Sequence, residues 1–490
     1  MKLKNFLLIC IFSILLMACK NSDVKKNVLF IMVDDFRPEI NSWGSTYMKT
    51  PNIDRLADKG VSYTNAYCQY ANSSPSRRSI LTGLSPETTG HETHYDEYKR
   101  YVDHTSMPEY FREQGYFTAS LGKVYHVKGE DASWNYVYDI TDNKWECYAE
   151  EKNKKMKHTR RPAVECSDLP LEKYTDYKIC QETLKLLEDN REQNFFIAVG
   201  FRKPHLPYAA PKRFWDLYQR DSIPITKYPN APLYGDTIVY KWSELANYSR
   251  YNTVYAASNY RDIKIGEEDL RMLQHGYMAC VSYVDYLIGL LLDKLEELEL
   301  DDNTLIVLMG DHGYHLGDQQ IYGKHTCYHK AVNIPLIIYA PDLERSVAKC
   351  SDFVEGIDVY PTVVDFCNFS IPKGLDGKSF RVLYDRIGKG QDFNAAFNQY
   401  QSFQKGDIRN YMGYAIHTAN FTYIEWQNLK DGRKVMNREL YRVSPKQQIE
   451  TENIASEKYG LLMDSLSAKI SEKFAPYRLA HEHFLKLKKK

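Results

Sequence analysis

The 490-residue chain has no excess of either charge: 64 Lys+Arg stand against 64 Asp+Glu. A nucleic-acid surface needs a basic excess, so no nucleic-acid partner is expected, and any anion must be met by a local group of cations. No CxxC and no paired Cys/His spacing occurs, which removes a structural zinc site. No internal repeat is present. The apolar run Phe6–Ala18 counts 13 residues, short of the roughly 20 that cross a bilayer. Tryptophan (6) and phenylalanine (20) are few beside 40 tyrosines, which points to large amphipathic contact surfaces. With 43% hydrophobic and 26% charged residues, the chain is neither disordered nor a multi-span membrane protein. Its length exceeds the roughly 250–300 residues one core supports, so a large domain and a smaller one are expected.

Lys2 and Lys4 precede the apolar run, and Leu16-Met17-Ala18-Cys19 ends it. A basic start, a short apolar stretch and a small residue before a break read as an export signal. The break resembles a bacterial lipobox, which implies lipidation of Cys19; an ordinary signal with a chance Cys is the alternative. Residues 1–19 are thus expected to be a lipoprotein signal peptide and 20–26 (KNSDVKK) a polar tether. The expected location is that of an exported bacterial lipoprotein, periplasmic or cell-surface, held to a membrane by its lipid. Export permits disulfides, and Cys147 with Cys166 is either a pair or two free thiols.

Short apolar runs at Val28–Val33, Phe195–Val199, Thr304–Met309 and Ile334–Tyr339 read as buried strands. Helical patterns lie between them at Ile53–Lys59, Met107–Gln114, Tyr174–Asn190 and Glu267–Leu298. Alternating strands and helices predict an α/β fold with a large, mainly parallel sheet between helices. Ligands of such sheets bind at the carboxyl ends of the strands. The catalytic domain is expected over 27–380. Beyond it, Tyr414–His417 and Thr422–Trp426 alternate as strands, Asp431-Gly432 marks a hairpin, and Ser456–Phe474 is helical. Residues 381–490 are therefore expected to form a smaller antiparallel sheet plus helix.

Two of the apolar runs end in acid. VLFIMV leads into Asp34-Asp35, and TLIVLMG leads into Asp311-His312. If these strands are neighbours, three carboxylates converge, and burying them together requires a cation. Oxygen ligands suit Ca²⁺ or Mg²⁺, whereas a histidine ligand alone leans toward a transition metal. Read singly, Asp34-Asp35 serves equally well as a helix cap. The next feature is Ser73-Ser74-Pro75-Ser76-Arg77. Pro75 is expected to restrict Ser74 to an extended conformation, and Ser76 is placed to cap a helix starting near Arg77. Ser73 then stands by a helix N-terminus, which favours an anion.

The run S-x-P-S-R-x-x-x-L-T-G from Ser73 to Gly83 resembles the signature of the type I sulfatases. Asp34-Asp35, Asp311-His312, Leu121-Gly122-Lys123-x-x-His126, Lys203-Pro204-His205 and Lys324 follow the same family in order, nearest its iduronate-2-sulfatase branch. The likeness runs from residue 27 to about 370 and is looser beyond, through Glu439-Leu440-Tyr441 and Asn453. It implies an alkaline-phosphatase-like fold. It also implies that Ser73 is oxidised to formylglycine by a serine-type sulfatase-maturing radical enzyme; most members carry Cys there. The implied metal ligands are Asp34, Asp35, Asp311, His312 and residue 73, with Ca²⁺ ahead of Mg²⁺. Arg77, Lys123 and Lys324 would stabilise the sulfuryl oxygens, His205 or Lys324 would protonate the leaving group, and His126 would be the base that releases sulfate. The implied reaction is hydrolysis of sulfate esters on a sulfated carbohydrate, with 2-O-sulfated uronic acid favoured and an algal glycan such as ulvan an alternative. A phosphate or phosphonate monoesterase of the same fold, and a non-catalytic glycan-binding lipoprotein, are the rival functions. His315, His325 and His329 are weaker substrate-contact candidates. The basic stretch 152–161 and the tyrosines of 228–260 would either meet substrate or merely pack.

Overall fold

The apolar runs form the middle of one nine-stranded sheet in the computed structural model. The structure describes residues 25–90, 104–126, 134–139, 148–240, 243–254, 261, 263–385, 393–402 and 411–487. Cys19, with the signal and most of the tether, lies outside these, as does Cys147 and hence its pairing with Cys166. None of the seven cysteines among the described residues is bonded to another of them.

The sheet strands are β1 (Asn27–Val33), β2 (Val61–Tyr67), β3 (Phe117–Gly122), β4 (Tyr136–Tyr138), β5 (Phe195–Phe201), β6 (Thr304–Gly310), β7 (Asn333–Ile334), β8 (Leu336–Tyr339) and β9 (Lys349–Glu355). Their order is β7-β2-β8-β6-β1-β5-β3-β4, with β9 beside β2. β6, β1, β5 and β3 are parallel neighbours. β8 runs antiparallel between β6 and β2, so β2 points the same way as β6. The Ile334–Tyr339 run is two strands rather than one. Pro335 has no N–H to give the ladder, and its carbonyl accepts from Gly310 N at 3.0 Å.

β1 explains the continuous apolar runs. Leu29, Ile31 and Val33 enter the core on one face, while Val28, Phe30 and Met32 enter a second core on the other. A parallel strand covered on both sides has no polar face to show. Each such aliphatic chain, fully buried, stabilises by roughly 1.5–3 kcal/mol. The helices are α1 (Pro51–Lys59), α2 (Ser73–Thr82), α3 (Met107–Glu113), α4 (Thr175–Asp189), α5 (Glu267–Glu297) and α6 (Gly460–Leu487). The long α5 lays Leu273, Tyr277, Val284, Leu287 and Leu291 into the first core.

After the main sheet, β10 (Ala395–Gln401), β11 (Tyr411–Thr418), β12 (Phe421–Asn428) and β13 (Lys434–Arg442) form an antiparallel meander. The Asp431-Gly432 turn falls between β12 and β13, with Gly432 at φ 53°. α6 starts later than the Ser456–Phe474 pattern and runs further, through Pro476. Tyr477 joins the core under the small sheet, and His481 Nδ1 lies 3.2 Å from Thr88 O, so the extra turns are anchored. No helix among the described residues is long and apolar enough to cross a membrane.

Candidate functional site

Five parallel strand ends deliver the site. β1 runs into Asp34-Asp35, β6 into Asp311-His312, β5 into the loop of His205, and β3 into Lys123, while the loop after β2 leads to Ser73 at the start of α2. The sheet ladder continues one residue past the strands: Asp34 N donates to Phe201 O and Asp311 N to Val33 O, each at 3.2 Å. Asp35 then turns into the left-handed region at φ 56°, a conformation that costs a non-glycine residue about 1–2 kcal/mol. Two hydrogen bonds hold it there: Asp35 N donates to Asp311 Oδ1 at 3.2 Å, and Tyr277 Oη donates to Asp35 O at 2.8 Å. At the end of β5, Gly200 has no side chain because a Cβ there would overlap the Lys123 carbonyl.

Ser73 is the first residue of α2, and the cap is Asn72, whose Oδ1 accepts from Ser74 N at 3.2 Å. The sequence reading, with Ser76 as cap and Ser74 extended, is therefore corrected. Pro75 sits in the first helical turn, where no intrahelical acceptor awaits its missing N–H. Ser76 Oγ instead donates to Asp311 O. Shifting the helix start brings Ser73 Oγ to 3.0 Å from Asp34 Oδ1, 2.9 Å from His312 Nε2 and 3.4 Å from Lys123 Nζ. One turn on, Arg77 is fully buried. Its Nε donates to Asp311 Oδ2 at 2.8 Å, and its guanidinium also reaches the Lys123 carbonyl and lies 3.6 Å from Asp34 Oδ1. Lys123 Nζ pairs with Asp34 Oδ2.

A second group adjoins the first through Asp35. Lys324 Nζ donates to Asp35 Oδ1 at 2.8 Å and lies 3.4 Å from Glu244 Oε1. His205 Nε2 is 3.1 Å from Glu244 Oε1 and 4.0 Å from Asp35 Oδ2, while its Nδ1 is 2.6 Å from Leu206 O. Both ring nitrogens thus face oxygens that only accept. Glu244 is the residue that sequence reasoning missed: one of two acids in the tyrosine-rich stretch, with Asp236, it opens a short 3-10 turn.

Burial and partners set the charge states. Burial pushes the Asp34 carboxyl up, but Lys123, His205 and Arg77 together hold it well below its usual range. Burial likewise raises Asp35, and Lys324 and His205 offset this only in part. Glu244, also opposed by burial, is held well below its usual range by Lys324 and His205. Burial lowers the Lys123 ammonium despite Asp34, whereas Asp35 and Glu244 overcome burial to raise Lys324. Burial also lowers His312, keeping it neutral, as a metal ligand must be.

The residues fit a divalent cation. Asp34, Asp311 and His312 offer ligand atoms within 4.8 Å of one another, all on buried residues. The Ser73 hydroxyl has a single proton for two acceptors, Asp34 Oδ1 and His312 Nε2. Asp35 Oδ2 is buried with no hydrogen-bond donor among the described residues. An oxygen-rich set with such unmet lone pairs suits a hard ion. Asp35, His205 and Glu244 form a second group of ligand type, but the Lys324 ammonium already stands among them.

The other sequence candidates are placed as follows. His126 closes the turn after β3 and is half-buried. His315 is buried and His329 half-buried, both in packing roles, Nε2 of the first 3.2 Å from Thr326 Oγ1 and Nδ1 of the second 3.1 Å from Tyr67 Oη. His325 packs against the ring of Tyr400. In the basic stretch, Arg161 bonds back to Met156 O and Lys154 O. Of the tyrosines, Tyr240, Tyr248 and Tyr251 are buried while Tyr234 is 78% exposed; Tyr255, Tyr260 and Trp242 lie outside the described residues.

A family model described as Sulfatase matches residues 26–369, and one described as N-sulphoglucosamine sulphohydrolase, C-terminal, matches 317–475. The chain is 28% identical over 456 residues to iduronate 2-sulfatase of Homo sapiens, covering 83% of this chain and 81% of that protein. It is 28% identical over 473 residues to a sulfatase of Formosa agariphila, covering 89% and 88%. Among solved structures it is similar to a phosphonate monoester hydrolase from Silicibacter pomeroyi, with TM-score 0.75 and 20% identity over 91% of this chain and 95% of that one. At that identity the likeness speaks for the fold, which is the alkaline-phosphatase-like arrangement.

Proposed function

The chain belongs to the sulfatase family and is a sulfuric ester hydrolase; on that premise we propose that its substrates are sulfated glycans, 2-O-sulfated uronic acids first among them, and that Ser73 acts after conversion to formylglycine. The observation that carries this reading is the position of Ser73 Oγ, 3.0 Å from Asp34 and 2.9 Å from His312, at the N-terminus of α2 and beside Lys123. The iduronate 2-sulfatase relative supports the sugar. The sequence signal at Cys19 supports export and a lipid anchor.

A divalent cation, Ca²⁺ ahead of Mg²⁺ because most of its ligands are protein carboxylates, would be held by Asp34, Asp35, Asp311, His312 and residue 73, and would polarise the attacking oxygen. Residue 73, as the aldehyde hydrate, directs one hydroxyl at sulfur. Arg77 cannot turn away, because Asp311 and the Lys123 carbonyl fix its guanidinium. With Lys123 and Lys324 it presents fixed positive charge to the sulfuryl oxygens, at no cost of reorganisation. His205 or Lys324 gives a proton to the departing sugar oxygen. His126 takes the proton of the second hydroxyl, so that sulfate leaves and the aldehyde returns. A plain serine ester has no second hydroxyl and would stay sulfated.

Protein co-produced with a serine-type maturase is expected to desulfate defined oligosaccharides carrying 2-O-sulfated uronate faster than ulvan fragments. It is also expected to hydrolyse an aryl sulfate faster than the matching aryl phosphate. A higher rate on the phosphate would overturn the sulfatase reading, and turnover confined to other sulfated sugars would overturn the substrate.

A further inference from the structure

We propose that Glu244 is the positioning residue for the acid that protonates the leaving oxygen, an assignment that rests on the sulfatase reading above. The juxtaposition is of three separate segments. His205 comes from the loop after β5, Lys324 from the excursion after β6, and Glu244 from the tyrosine-rich stretch between α4 and α5. Glu244 Oε1 is the single oxygen they share, 3.1 Å from His205 Nε2 and 3.4 Å from Lys324 Nζ. Asp35, the other acid in reach, belongs equally to the ligand set around Ser73. Glu244 is therefore the acid whose ion pairs among the described residues are to the two proton donors. The residue before it is tied down, as Ser243 Oγ donates to Tyr322 O at 2.8 Å.

A role in stability alone fits Glu244 poorly. Its Oε2 is buried with no hydrogen-bond donor among the described residues. An unmet buried acceptor costs roughly 1–3 kcal/mol, more if charged. An apolar side chain of similar volume would avoid this cost but could not hold two proton donors at one point. In the step served, the attacking oxygen bonds to sulfur while the bond from sulfur to the sugar oxygen breaks. The electron pair stays on the sugar oxygen, which takes a proton from His205 or Lys324. Glu244 remains a carboxylate throughout.

Leaving groups separate this role from a structural one. A nitrophenolate departs without a proton, whereas a sugar alkoxide does not. For Glu244→Gln, kcat on the best carbohydrate sulfate of the panel is expected to fall about 100-fold with KM nearly unchanged, the scale of a lost general acid. Turnover of 4-nitrophenyl sulfate is expected to stay within about threefold of wild type, because that step needs no acid. Glu244→Asp, which keeps the charge but retracts it, is expected to show a smaller loss with the same selectivity, and it serves if the Gln variant does not fold. Equal losses on both sulfates, or no loss on the carbohydrate, would overturn the assignment while leaving the sulfatase reading intact. A matured wild type that cleaves neither sulfate would overturn both.

Discussion

His417 shows what burial does to a single side chain in this fold. It is 1% exposed on β11, with Nε2 2.7 Å from Asn398 Nδ2, Nδ1 3.4 Å from Thr422 Oγ1, and the Tyr67 ring stacked 4.8 Å away. Burial pushes its imidazole down to about 3, and the buried His315 likewise to about 3. Both stay neutral in the native state until the pH is far below the ordinary histidine value of about 6.5. Below that value the unfolded chain takes up protons that the fold refuses. Stability is therefore fully present above about pH 6.5 and is lost as the pH falls toward 3, by on the order of 2 kcal/mol per histidine at pH 5. Thermal midpoints measured from pH 7.5 to 5 should fall less steeply for His417→Gln than for wild type. Parallel slopes would contradict the assignment of His417 as a neutral core residue. At the same scale, Glu244 could not be read from the sequence. An acid set among tyrosines has no period and no motif, and its importance arises only when distant loops bring His205 and Lys324 to it.

At the scale of elements, the ends of β3 and β5 must pass close together for Lys123 to reach Asp34. Gly200→Ala places a methyl group into the Lys123 carbonyl, backbone that cannot yield as a flexible side chain would. The end of β3 must then shift, and a displacement of about 1 Å at a catalytic group costs on the order of 100-fold in rate. The expected outcome is that loss of kcat in a protein that still folds cooperatively. Gly460→Ala, at the start of α6 with nothing within 4 Å of a Cβ, is expected to leave kcat unchanged. Full activity in Gly200→Ala would show that the β3–β5 contact does not position Lys123. The four apolar strand runs were legible because both their faces are covered. β2 and β3 were not, since VSYTNAY and FTASLG mix polar residues into buried strands, and nor was β9, KCSDFVE, whose first half is partly exposed. Neighbours satisfy those polar groups: Asn65 Nδ2 donates to Ser351 O at 2.7 Å, and Thr118 Oγ1 to Asn135 Oδ1 at 3.0 Å. No pattern within one strand reveals such a partner.

Across the whole molecule, the small C-terminal sheet is braced against the elements that carry the site. Gln399 N donates to Gln69 O at 2.9 Å, just ahead of Ser73, and Gln319 Nε2 donates to Glu450 O at 2.9 Å, just ahead of Lys324. The sequence located the acids that end β1 and β6, because an apolar run stopping in carboxylates is a local signal. The resemblance implied their meeting with Ser73; what the sequence misplaced is the start of α2, at Ser73 rather than near Arg77. That meeting carries the account's central claim, that residue 73 is rebuilt into an aldehyde at a cation-binding strand end. Mass spectrometry of the peptide containing residue 73, from protein made in the organism that encodes it, tests this most directly. The account predicts a peptide lighter by two hydrogens, about 2 Da, than the encoded serine form; an unmodified serine at position 73 would contradict it.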